Sequence, residues 1–185
     1  MAILSGGRRL RHVVQALSLI GLMMMAPARF SGQDEDEYAV KAVYIFNFSK
    51  FAEWPEASGS STFAICILGD NPFDNAIGKL TRGKYADGRS MEVRRIKEPV
   101  DAKACQIAFV SSAENVKAVT LIDAVRGMPV LTVGETEEFL RKGGIIALTM
   151  DGSLVNIVIN AKAAQNANLK VSTKLLKIAK IYKSK

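Results

Sequence analysis

Apolar positions in this chain fall into two recurring patterns. One is the short, almost continuous apolar run, as in Thr62 to Leu68 and Cys105 to Val110. The other is helical spacing, as in Phe73, Ala76, Ile77 and Leu80. The first predicts buried strands and the second amphipathic helices. A first helix is predicted from Asp36 to Glu53, stopped by Trp54-Pro55 because proline disfavours helix in the residue before it. Val40, Tyr44, Phe48 and Phe51 mark one face of it, while Val43, Ile45 and Phe46 point elsewhere. A helix apolar over more than one stripe is either packed on two sides or offers surface to a partner.

The alternation continues. After the strand 62–68 and the turn Gly69 to Pro72 comes a helix, Phe73 to Thr81, then a basic loop, Arg82 to Ser90. Strands follow at Met91 to Ile96 and Cys105 to Val110, joined through Pro99 to Lys103. Ser111 or Ser112 can cap a helix from Ala113 to Arg126, which Gly127 closes. A strand at Pro129 to Val133 and a helix from Glu135 to Arg141 lead to Gly143-Gly144. Ile145 to Met150 and Leu154 to Ile159 flank Asp151-Gly152-Ser153, a hairpin signal. Helices are expected at Ala161 to Ala167 and Ser172 to Tyr182. Strands alternating with helices imply a mainly parallel sheet covered on both faces, and the late hairpin makes it mixed. The expected fold is α/β, a three-layer sandwich.

The N-terminus is of another kind. Arg8, Arg9 and Arg11 precede an apolar run, Val13 to Met25, and then Ala26-Pro27-Ala28. This is the layout of a secretory signal peptide over 1–28, and the run is too short to span a bilayer. A flexible acidic lead-in, 29–37, and one domain, 38–185, would follow. Cleavage would remove three of the 25 basic residues against 18 acidic ones, leaving a net charge near +4 rather than +7. So mild an excess does not argue for nucleic acid, and neither does export.

Export also changes the available chemistry. The sole histidine is His12, inside the leader. The mature chain therefore lacks the commonest general base and the commonest transition-metal ligand. No catalytic constellation, metal site or cofactor is expected. Two cysteines remain, Cys66 and Cys105, in strand-like runs. In an oxidising compartment they are either a bridge closing a long loop or two separate core thiols. The strand-turn-helix junction at Asp70 and Asn71 is the place where such sheets take ligands, although it lacks the glycine pattern of a nucleotide site. A turn that simply reverses the chain accounts for the same residues.

The run Tyr38-Ala39-Val40-Lys41-Ala42-Val43-Tyr44-Ile45-Phe46-Asn47-Phe48, leading to Phe51-Ala52-Glu53-Trp54-Pro55, resembles the opening helix of the YfiR/HmsC-like family. Ile67 to Phe73, Cys105 to Ser111, Val130 to Val133, Gly143 to Ile146, Ile159-Asn160 and Leu169 to Leu176 extend the resemblance in order. It implies a periplasmic regulator that binds the periplasmic part of a membrane-bound diguanylate cyclase or sensor protein and represses it. It also implies a possible homodimer and a pairing of Cys66 with Cys105. The late cysteine pair that some members carry has no counterpart here. Tyr44, Phe48, Phe51 and Trp54 are the candidate partner or dimer contacts. The alternative function is a small-ligand sensor or carrier using Asp70 and Asn71.

Overall fold

The computed structural model describes residues 31–55 and 61–183, with side chains described from Asp36 onward. The chain divides into units Met1–Ser31 and Gly32–Lys185, and the second carries the fold. The expected signal peptide lies outside the described residues.

Helix α1 (Ser31–Phe51) is followed by β1 (Ala52–Glu53), β2 (Thr62–Leu68), α2 (Ala76–Thr81), β3 (Tyr85–Ala86) and β4 (Arg89–Ile96). A 3-10 segment, Pro99–Ala104, leads to β5 (Ile107–Val110) and α3 (Asn115–Ala124). Then come β6 (Leu131–Gly134), α4 (Glu137–Arg141), β7 (Ile146–Asp151) and β8 (Leu154–Ile159). The chain closes with α5 (Ala161–Asn166), β9 (Lys170–Val171), α6 (Thr173–Ile178) and β10 (Lys180–Ile181).

Among the described residues the main sheet has eight strands in the order β10-β8-β7-β6-β5-β2-β4-β3. The β7–β8 and β3–β4 pairs are antiparallel and the others parallel. Successive strand residues point to opposite faces. Phe63, Ile65 and Ile67 therefore meet Ala42, Ile45 and Phe48 of α1 in one core, with Ile77 and Leu175. Ala64, Cys66 and Leu68 meet Leu121 and Ile122 of α3 and Leu140 of α4 in the other. This is the mixed, mainly parallel three-layer α/β sandwich that the apolar pattern predicts.

Four local expectations need correction. Residues 31–37 are helical rather than a flexible lead-in; acids in the first turns of a helix favour its dipole. At its other end α1 stops at Phe51, because Ala52-Glu53 pairs antiparallel with Lys170-Val171. The basic loop holds a hairpin: Asp87 and Gly88 both take positive φ (52° and 71°), which brings Tyr85 opposite Ser90. The C-terminal helix ends at Ile178, and Lys180-Ile181 pairs in parallel with Val158-Ile159. There an open sheet edge overrides the helical spacing of Leu175, Ile178 and Tyr182.

Gly144 is required for its small size. A Cβ at this position would enter the ring of Phe139, which is itself buried against Gly134. Gly144→Ala is expected to cost about 1–3 kcal/mol, as over-packing does. Urea unfolding of the variant beside the wild type measures it.

Candidate functional site

Helix α1 carries most of the predicted contact residues. Its buried apolar stripe is Ala42, Ile45 and Phe48, continued by Ala52 of β1, a face turned from the predicted one. Apolar residues on more than one stripe leave the choice open, and the small Ala42 lets the backbone approach the sheet. Phe48 is only 1% exposed and offers no surface to a partner, which corrects its place among the contact candidates. Tyr44 and Phe51 are half-buried against the same core. Trp54 is also half-buried; its Nε1–H donates to the carbonyl of Gln106 at 3.2 Å, and its ring stands edge-on to Phe63 at 4.9 Å. The apolar residues that α1 leaves open are Val40 and Val43, each 44% exposed.

Two polar groups lie within the buried stripe. Ser49 donates back to the carbonyl of Phe46 at 2.6 Å. Lys41 pairs with Glu37 and with Glu135, and the Lys41 and Glu135 side chains are 3% and 5% exposed. The ammonium also lies 4.8 Å from the centre of the Tyr38 ring. The second Glu135 oxygen accepts from the Ser112 N–H at 2.6 Å. Neither Ser111 nor Ser112 makes the expected side-chain cap; Glu135 from the neighbouring strand end supplies the carboxylate instead. The spacing of Tyr38, Lys41, Ala42 and Ile45 carried the signal, a lysine inside an otherwise apolar stripe.

These contacts lie at the carboxyl ends of β5 and β6. The order of strands reverses beside them, between β2 and β5, and crevices at such ends are where open α/β sheets bind ligands. Asp70 and Asn71 follow β2 there. Asp70 is exposed and pairs with Arg95. The Asn71 side-chain oxygen accepts from the Phe73 N–H at 3.0 Å, and its amide donates to the carbonyl of Asp74 at 2.8 Å. Asn71 is thus spent on its own turn. The Glu114 side chain packs over Gly69 and fills the space above. A cavity of about 330 Å³ opens further along, between α3 and α4, lined by Val110, Ser111, Val119, Glu135 and Phe139 among others. Sequence reasoning missed it because its walls come from two separate segments, 110–122 and 134–142.

Cys66 and Cys105 are joined in a disulfide, with their Cα atoms 6.0 Å apart. Both are buried. Cys66 sits mid-strand in β2, and Cys105 ends the 3-10 segment just before β5. On this face Glu92 and Arg94 of β4 lie in register beside Ala64 and Cys66. The covering layer there is the 3-10 segment rather than a helix, and the bridge pins that segment to the sheet. Among the described residues no group of three His, Cys, Asp or Glu side chains is placed to hold a metal ion. Among them also no helix is long and apolar enough to cross a membrane.

Fold and site together define a disulfide-stapled, three-layer α/β domain. Residues 38–180 match the model of one family over most of the chain, and the protein belongs to that family, described as YfiR/HmsC-like. It is a family of periplasmic regulatory proteins rather than of enzymes. No curated protein matches the chain. Among solved structures it is similar to a conserved domain protein from Vibrio cholerae O1 biovar El Tor, at 13% identity over 79% of this chain and 60% of that one, with a TM-score of 0.49. It is also similar to an ABC domain in complex with L-Trp from Streptococcus pneumonia, at 15% identity over 65% and 55% of the two chains, with a TM-score of 0.46. The chain thus aligns with little more than half the length of the latter.

Proposed function

We propose that the protein, delivered to the periplasm by a leader ending near Ala28, binds the periplasmic part of a membrane signalling protein, a diguanylate cyclase, and represses it. The observation that carries this reading is the apolar strip left open on α1. Val40 and Val43 face solvent, and Val40 shares a groove with Met150 and Val155 of the β7–β8 hairpin. Leu154 at the hairpin tip is exposed as well. Aliphatic side chains grouped on rigid elements and flanked by the acids Asp36 and Glu37 suit a protein contact. Membership of a periplasmic regulatory family supports a regulatory role.

The test is a pull-down from solubilised inner membranes with wild-type protein and with Val43→Glu. The wild type is expected to recover a membrane cyclase. The variant should lose about tenfold of that recovery, since a charge enters the contact, while its stability shifts by under about 0.5 kcal/mol. Recovery of no signalling protein, together with unchanged cyclic di-GMP on deletion of the gene, would sink the reading. A second copy of this chain is the other occupant the strip suits. A concentration-dependent dimer lost in Val43→Glu, with no cyclase recovered, would favour it.

A further inference from the structure

We propose that the cavity between α3 and α4 binds a small uncharged organic molecule with an apolar body and one hydrogen-bonding head. The inference does not depend on the cyclase reading. Its volume, about 330 Å³, lies within the range of small-molecule sites and is too small for a folded element of a partner. Its place, at the carboxyl ends of β5 and β6, is where α/β sheets present ligand sites.

The lining sets the chemistry. Val110, Val119, Ile122 and Phe139 make the walls apolar. Ser111 stands among them, 8% exposed. Ser111 lines the cavity and makes no side-chain cap to the helix that follows, and the exposed Asn115, one helical turn further on, lines it as well. A hydroxyl at the edge of an apolar space can exchange its water for the head group of a ligand. A hydroxyl and an amide each donate and accept, so they suit a hydroxyl, carbonyl or amide head. The charged residues of the lining are already committed: Glu135 to Lys41, and Glu138 to Arg141 and Lys142. A charged ligand would find no free counter-charge there and would have to shed its hydration, so a neutral one fits.

The experiment follows the backbone amide NMR spectrum of the purified protein during titration with p-cresol and, separately, with toluene. Saturable shifts from p-cresol confined to residues 110–119 and 134–142, with weaker binding of toluene, are expected. Ser111→Ala should weaken p-cresol about threefold to tenfold and leave toluene unchanged. Val119→Trp, which fills the open side, should abolish both while the rest of the spectrum stays folded. Three results would each overturn the proposal: no saturable shift up to the solubility limit, shifts scattered away from the cavity, or a p-cresol preference that survives Ser111→Ala.

Discussion

Replacing Cys66 and Cys105 together by alanine lowers the stability of the folded domain by about 4 kcal/mol. The bridge closes a loop between positions 39 apart, and on the chain-entropy argument a loop of that length removes about that much from the freedom of the unfolded state. For a domain of this size the melting temperature falls by roughly 10 °C. The fold has little to offset the loss, because at this end of the sheet a 3-10 segment stands where a helix would otherwise pack. Urea unfolding of the double variant against the oxidised wild type measures the difference. A loss below about 1 kcal/mol would mean that the covering segment holds without its staple.

Lys41→Met is the second large effect, at about 3–5 kcal/mol. The methionine fits the apolar stripe, but Glu135 stays behind with its carboxylate 5% exposed and its nearest cation gone. The Ser112 N–H and the Tyr38 hydroxyl, which donates at 3.5 Å, do not offset the hydration that burial removes. The cost therefore belongs to the stranded charge rather than to the lost attraction. Glu135→Gln added to Lys41→Met should recover most of the stability, because a neutral amide at that place strands no charge. Denaturation midpoints of the two single variants and the double variant decide it. A double variant as unstable as Lys41→Met alone would show that the pair acts through packing.

The sequence pattern made the layers legible because the central strands are apolar on both faces. Phe63 to Leu68 and Ile107 to Val110 can only be interior strands in a chain this short, and the helices between them follow. What it left hidden was decided by distant residues. The buried face of α1 depends on which side chains allow close approach, and apolar residues on more than one stripe do not select one. Lys180-Ile181 joins the sheet only because β8 offers an edge there, which helical spacing does not encode. The short hairpin at Asp87-Gly88 did carry its turn signal, but arms of two residues are too brief to show a period. The Cys66–Cys105 pairing followed from the family resemblance, and the strand runs alone left it open. Among the site residues, Glu135 was invisible as a cap for Ser112, since 23 positions separate them. The α3–α4 cavity is likewise walled by two separate segments.

The placement of the disulfide has a consequence for proteolysis. The span it encloses includes the β3–β4 hairpin, whose Tyr85 is exposed at the end of the sheet. A protease that cuts at that tip does not release a fragment. Both pieces stay covalently joined through Cys66 and Cys105, and β4 keeps its neighbour in the sheet. Such a nicked molecule runs as one band until a reductant separates it into two. In a protease-rich compartment, the bridge lets the domain survive a cut backbone as a single molecule.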